Sequence, residues 1–185
     1  MNPRLRRLKN DYERVVAELS GSEYVSVKAV SGDPPTHYQV TYLLTGLMWD
    51  ASAGAAKQIG EHVVDISLPA GYPKQAPRCT IRTAMWHPNI GDYVCIGDYW
   101  SAGVTLADII VHIGDMIQYR SYNLGSPVNN AAAAWAQRNT RSFPVGVRSV
   151  RPRESEQDAP APVVDVALPP HDIDISLGPI RERQL

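Results

Sequence analysis

The sequence predicts an α+β fold: an N-terminal amphipathic helix, a four-stranded antiparallel meander, a long irregular loop and then helices. Three observations carry this. Apolar residues recur at helical spacing from Leu5 to Leu19, four later runs alternate apolar and polar with a period of two, and an isoleucine-rich stripe returns to helical spacing after Thr105.

The first helix has its signals in place. Asn2 is a cap and Pro3 a first helical residue. Leu5, Leu8, Tyr12, Val15, Val16 and Leu19 form the apolar stripe, leaving Arg6, Arg7, Lys9, Glu13 and Arg14 for solvent. That is about five turns, stopped at Gly21. The strand runs follow. Tyr24–Val30 alternates through Val25, Val27 and Ala29; Tyr38–Thr45 through Tyr38, Val40, Tyr42 and Leu44. His62–Leu68 sets Val64, Ile66 and Leu68 against Asp65 and Ser67, and Arg78–Thr83 sets Cys79 and Ile81 against Arg78, Thr80 and Arg82. Such alternation means a sheet with one wet face, hence an antiparallel meander. Ser31-Gly32-Asp33-Pro34-Pro35 and Ala70-Gly71-Tyr72-Pro73 are turn clusters. Residues 46–60 read as a long Ala/Gly-rich connection with no assigned element.

Residues 84–104 show no period, yet they hold Trp86, Ile90, Tyr93, Val94, Ile96, Tyr99 and Trp100, too apolar for a disordered segment. A long ordered loop is the place to look for chemistry. Thr105 caps the next helix, whose Leu106, Ile109, Ile110, Ile113, Met116 and Ile117 predict a buried stripe. Asn123 to Asn129 is a loop, and Ser126-Pro127 is expected to start a third helix reaching about Arg138. From about Ser142 the composition turns to Pro, Arg, Asp and Glu. The expected organisation is a domain over 1–141 and an extended or flexible tail over 142–185, with Val163–Leu168 and Ile173–Leu177 as strand-like peptides for a partner.

Composition narrows the function classes. Among 185 residues the formal net charge is -1, which predicts no nucleic-acid surface. The charged N-terminus is no signal peptide, and no window approaches the roughly 20 apolar residues of a membrane span. The two cysteines, Cys79 and Cys95, form neither a metal-type pair nor a disulfide framework, so a cytoplasmic setting is expected. No cofactor and no metal is expected. Cys79 sits on the apolar face of a strand and reads as core. Cys95 lies among loop residues, between Gly91 and Gly97, and reads as an exposed nucleophile, with a buried structural thiol as the alternative.

The segment His87-Pro88-Asn89-Ile90-Gly91-Asp92-Tyr93-Val94-Cys95-Ile96-Gly97-Asp98-Tyr99-Trp100 resembles the active-site loop of ubiquitin-conjugating enzymes, where a His-Pro-Asn turn precedes the catalytic cysteine and a tryptophan follows. Tyr72-Pro73 with Ala76-Pro77, and Asn123 with Ser126-Pro127, resemble the family's flanking turns. The order of elements over about residues 3–138 agrees. The resemblance implies the ubiquitin-conjugating fold, with a ubiquitin-like protein carried as a thioester on Cys95. It also implies partners: the modifier, an activating-enzyme relative that docks on the first helix near Arg6, Arg7 and Lys9, and a protein substrate.

The residue types suit acyl transfer. A thiol is partly thiolate at neutral pH. Asn89 is a candidate oxyanion donor, or a turn residue. His87 is a general base or, as the family implies, a loop holder. Asp98, with Asp92 near it, is a candidate to help deprotonate the incoming amine. Ser126 matches the family's gating position, and a helix cap is compatible with that.

The chain departs from the family pattern. His87 to Cys95 is two residues shorter than usual, Lys74 replaces a ligase-gripped aromatic residue, and Ser101-Ala102 lacks a usual proline. Together these argue against a RING or HECT ligase partner. A reduced core, with the family's last helices absent or replaced by the tail, and a shortened loop resemble the bacterial conjugating-enzyme relatives, implying a system linked to phage defence and a deconjugating metalloprotease. The competing functions are an inactive variant that binds a ubiquitin-like protein, and a cysteine hydrolase, for which no third orienting residue is found.

Overall fold

The computed structural model describes residues 2–152. The strand-like runs expected at Val163–Leu168 and Ile173–Leu177 lie outside the described residues.

Helix α1 spans Pro3–Leu19, and the Asn2 side chain accepts from the Arg4 N–H at 2.9 Å. The chain leaves the helix through Gly21 at φ +83°, a left-handed conformation that glycine adopts without a Cβ penalty. The buried line is narrower than the apolar stripe. Leu8, Val15 and Leu19 are buried, whereas Leu5, Tyr12 and Val16 stay exposed.

Six strands follow: β1 (Val25–Gly32), β2 (Pro35–Tyr42), β3 (Gly46–Asp50), β4 (Ala55–Ile59), β5 (His62–Ser67) and β6 (Arg78–Ile81). The main sheet is antiparallel in the order β1-β2-β5-β6. Tyr38 pairs with Ile66, Val40 with Val64, and Ile66 with Cys79, so the period-two sets share the core face. As an edge strand, β1 keeps only Val25 buried; Ala29 on the same face is exposed.

Two expectations change. Residues 46–60 form a separate hairpin, β3 with β4. Its turn is held by Asp50, whose Oδ1 accepts from the N–H groups of Ser52 and Ala53 at 3.0 and 3.2 Å, and by Gly54 at φ +60°. Three apolar residues in a row, Leu47, Met48 and Trp49, and the alanines of β4 give no alternation to read. Leu47 is buried and Trp49 stacks on Trp86 with centroids 4.7 Å apart, which joins the hairpin to the following loop. Gly46 is needed where it stands, since a Cβ there would lie 2.6 Å from the buried His62 ring. The third helix starts later than expected: α3 spans Asn130–Arg138 and Asn129 caps it, its Oδ1 accepting from Ala132 N–H, so Ser126 is no cap.

Helix α2 spans Leu106–Ile117 and opens with a capping box between Thr105 and Asp108. Its whole predicted stripe is buried against α1, the sheet and the loop residues Ile90, Val94 and Ile96. Each such aliphatic side chain contributes about 1.5–3 kcal/mol on burial. Tyr42 ties sheet to helix, its hydroxyl donating to Ile110 O at 3.0 Å.

Packing continues past the expected boundary at residue 141. Val150 is buried in the core, its carbonyl accepts from Ser22 Oγ at 2.6 Å, and Arg148 O accepts from Gln118 Nε2 at 3.1 Å. Arg151 reaches Glu18 at 2.9 Å and Asp108 at 2.8 Å. Among the described residues the compact unit therefore runs on to Pro152. Among the described residues, the change to a polar, proline-rich composition follows the last helical turn but does not end the packing.

Arg7 is a further correction. It was expected to face solvent as a partner contact. Its Nε instead lies 2.7 Å from buried Asp11, and its Nη1 donates to Ala102 O at 2.6 Å. It also reaches Val104 O. The other Asp11 contacts are the Tyr72 hydroxyl and the Leu106 N–H, the latter at 3.2 Å. One carboxylate thus joins α1, the turn before β6 and the start of α2. Burial, and then Asp11, push the Tyr72 phenol above its ordinary range, so it remains a donor. Asp11→Ala strands Arg7 and is expected to cost about 3 kcal/mol in urea unfolding. Arg6→Ala, exposed on the same helix, should change stability by less than about 0.5 kcal/mol.

Candidate active site

Cys95 owes its exposure to its neighbours. Val94 donates its N–H to Cys79 O at 2.8 Å, which lays the chain against the end of β6. Val94 and Ile96 are both buried. In extended chain, alternate residues point to opposite faces, so Cys95 between them turns outward and is half-buried. Cys79 is buried as expected, and burial pushes its thiol up to about 12.

The loop before Cys95 is tight. Ile90 makes bridges both to His87 and to Val94, and the Cys95 N–H donates to Asn89 O at 2.9 Å. His87 is fully buried. Its Nδ1 accepts from the Asn89 N–H at 3.1 Å and its Nε2 donates to Ser121 O at 3.2 Å. Both ring nitrogens are occupied by the main chain, which defines a neutral ring with its hydrogen on Nε2. Burial lowers its pKa to about 3. The ring therefore holds the loop and has no free nitrogen for a proton from Cys95.

Asn89 is buried and bonded at both ends. Its Oδ1 accepts from the Asn123 N–H at 2.7 Å, and its Nδ2 donates to Asn123 O at 2.8 Å and Ser126 O at 3.2 Å. The amide has no hydrogen left over for an oxyanion in this conformation. Asp98 is exposed and accepts from Asn123 Nδ2 at 2.9 Å. Ser126 is exposed at the rim.

Cys95, Asn89, Asp98 and Ser126 share one open cleft of about 270 Å³. His87 lies behind its wall, and Arg6, Arg7 and Lys9 lie on α1. Among the cleft residues not singled out in the sequence as site residues are His112, Tyr99 and Asn123. His112 is on the outer face of α2 and stacks flat on Tyr99, with centroids 3.9 Å apart. Its spacing four residues beyond Asp108, off the isoleucine stripe, was the available signal. Among the described residues no group of three His, Cys, Asp or Glu side chains could hold a metal ion. No helix among them is long and apolar enough to cross a membrane.

A helix, an antiparallel sheet and two helices, with an open thiol on the loop between sheet and helix, define a ubiquitin-conjugating-type α+β domain. Comparison with known proteins agrees. The model of the ubiquitin-conjugating enzyme family matches residues 51–150, just over half of the chain, and the chain belongs to that family. It is 28% identical over 147 residues to ubiquitin-conjugating enzyme E2 27 of Arabidopsis thaliana, covering 76% of this chain and 73% of that protein. It is 32% identical over 60 residues to ubiquitin-conjugating enzyme E2-22 kDa of Drosophila melanogaster, covering 29% of this chain and 30% of that protein.

The buried histidines make stability depend on pH. Burial lowers His62 to about 4 and His87 to about 3. In the unfolded chain each takes up a proton near pH 6.5. Stability is thus full above about pH 6.5 and falls as pH drops toward 4 and then 3, because the unfolded state binds more protons there. At pH 5 unfolding is expected to take up about two protons at these rings, and about one fewer in His87→Gln. The pH dependence of urea unfolding measures both.

Proposed function

We propose that this chain accepts a ubiquitin-like protein from an activating enzyme as a thioester on Cys95 and passes it to an amine of a protein substrate. The position of Cys95 carries the reading: a half-exposed thiol, between two buried anchors, at the floor of a cleft, in a chain of this family. In loading, the Cys95 thiolate attacks the thioester carbonyl presented by the activating enzyme, and that enzyme's thiolate leaves. In discharge, an amine attacks the new thioester and Cys95 leaves.

The other site residues take supporting roles. His87 and Asn89 fix the Cys95 loop against residues 121–126. Asp98, with Asn123 bonded to it, offers a carboxylate in the cleft to the incoming ammonium. Ser126 borders the entrance as a gate. Arg6 and Lys9 remain as exposed contacts for the activating enzyme, while Arg7 acts through the Asp11 network. A cytoplasmic setting rests on the two cysteines that form no disulfide framework; a deconjugating metalloprotease and a bacterial phage-defence role rest on the shortened His87–Cys95 loop, and genes for such partners beside this one would support them.

One observation favours a second reading. Because the Asn89 amide is fully engaged, stabilisation of the tetrahedral oxyanion must come from elsewhere. A variant that binds a ubiquitin-like protein and transfers it weakly fits that feature.

The test is loading with activating enzyme, modifier and ATP, followed on a non-reducing gel. A thiol-sensitive adduct is expected, absent in Cys95→Ala and replaced in Cys95→Ser by an oxyester that survives thiol. An adduct that persists in Cys95→Ala would overturn the assignment. Binding without any adduct would favour the second reading.

A further inference from the structure

In both transfer steps a negative oxygen develops on the carbon bonded to Cys95 Sγ, and Asn89 has no amide hydrogen to give it. The chain just beyond the sulfur does have donors. Ile96 O accepts from the Tyr99 N–H at 3.1 Å and from the Trp100 N–H at 3.0 Å, which closes a turn directly after Cys95. The N–H groups inside such a turn have no carbonyl ahead of them and point back toward its start. Here they belong to Gly97 and Asp98. Among the described residues neither N–H finds a protein acceptor. Both residues are exposed and both line the cleft.

Gly97 also stands next to the sulfur. A Cβ there would lie 3.7 Å from Cys95 Sγ, in ordinary van der Waals contact. An acyl group on Sγ therefore holds its carbonyl beside the main chain of Gly97. Two successive N–H groups directed to one side form a concavity for an anion. Donors fixed in place before the charge appears stabilise the transition state more than the ground state.

Resting on the thioester reading above, we infer that the main-chain N–H groups of Gly97 and Asp98 form the oxyanion hole of this chain, in place of the Asn89 side chain. In loading, the Cys95 thiolate attacks the carbonyl carbon, a C–S bond forms, and the π pair moves onto the oxygen between the two N–H groups. As that pair returns, the bond to the departing sulfur breaks and the thiolate leaves with its electrons. In discharge the amine nitrogen attacks, the oxygen takes the same place, and Cys95 is the thiolate that leaves. Asn89 and His87 hold the loop, and the turn after the sulfur holds the charge.

A pair of variants isolates the hydrogen. Gly97→Ala keeps the N–H and adds a Cβ; Gly97→Pro adds a Cβ and removes the N–H. Gly97 is not in the left-handed region, and proline is tolerated where an N–H opens a turn unpaired. Two small reagents then separate charge stabilisation from thiol reactivity. The phenyl thioester of acetylglycylglycine acylates Cys95 through an oxyanion, and the released thiophenolate is counted by absorbance. Iodoacetamide alkylates the same sulfur by displacing iodide, with no oxyanion. Cys95→Ser supplies the background for both. With the full chain, Gly97→Ala is expected to keep both rates within about threefold of the unaltered chain. Gly97→Pro should match it in alkylation and fall about tenfold below it in acylation, less than a buried oxyanion donor would lose because this site is open. Equal acylation in the two variants would overturn the proposal.

A reading on the unaltered chain is independent of how Gly97→Pro folds. Acetylglycinal adds to Cys95: the C–S bond forms, the thiol proton passes to the carbonyl oxygen, and that oxygen sits on a tetrahedral carbon. In amide NMR spectra the Gly97 and Asp98 protons are expected to move downfield on addition, with the Asn89 side-chain protons unmoved. Gly97 and Asp98 protons that stay in place would overturn the proposal. None of these reagents needs a modifier or an activating enzyme, so the hole is read whether or not the gel assay shows loading. A failed gel beside an intact contrast between acylation and alkylation sinks the modifier reading alone.

Discussion

The placement of Cys95 depends on a seam of buried hydrogen bonds between two loops that are far apart in sequence. Asn89 gives its side chain to Asn123 and Ser126, and His87 gives its ring to Ser121. On the near side the same two residues bind their own loop, through Asn89 N–H and Cys95 N–H. Each is buried with its polar atoms satisfied, and this is what makes such a network rigid where an incomplete one would be costly. The width of the cleft is therefore set by polar geometry. Apolar packing sets only its floor, where Ile90, Val94 and Ile96 enter the core.

The far side of the seam has its own constraint. At the end of α2, Tyr119 adopts φ +57°, an uncommon conformation for a bulky residue. It is buried, packed edge-on against His87 at 4.7 Å and tilted against Phe143 at 4.5 Å. Its hydroxyl donates to Trp86 O. Surroundings that hold a strained residue this firmly also direct the chain that follows it. Here that chain is Ser121–Ser126, the opposite wall of the cleft. The second apolar cluster, with Leu47, Tyr119 and Ala136 at its centre, thus supports the site from behind.

Much of this was legible in the sequence, for identifiable reasons. Period-two alternation placed Tyr38, Val40, Tyr42, Val64, Ile66 and Cys79 correctly, because the sheet has one wet face. The isoleucine stripe of α2 was unambiguous because nearly every apolar residue in it is buried. The β3–β4 hairpin was not legible, since β3 sets Leu47, Met48 and Trp49 in a row and the alanines of β4 carry no clear side preference. Nor was the α3 start, where Asn129 and Ser126 offer equivalent capping chemistry and only tertiary position chooses between them. In the site, Cys95 could be told from Cys79 by its neighbours. The commitment of the Asn89 amide could not, because its partners lie 34 and 37 residues away. The inward turn of Arg7 was hidden likewise: charge predicts solvent unless a buried carboxylate waits, and Asp11 gives no sign in the sequence of being buried.

That inward turn has a consequence for how the first helix is interrogated. A run of arginines and lysines invites a charge scan in which every loss of partner affinity is read as a lost contact. On α1 the cations are not equivalent. Arg6 points outward, Lys9 lies 3.8 Å from exposed Glu13, and Arg7 is a rivet between three segments of the domain. Neutralising Arg7 would loosen the start of α2 and the turn at Tyr72, and so imitate a docking defect at a distance from any docking surface. One helix thus carries exposed cations on one side and architecture on the other, a few residues apart, and only a stability measurement on each variant tells a lost contact from a loosened fold.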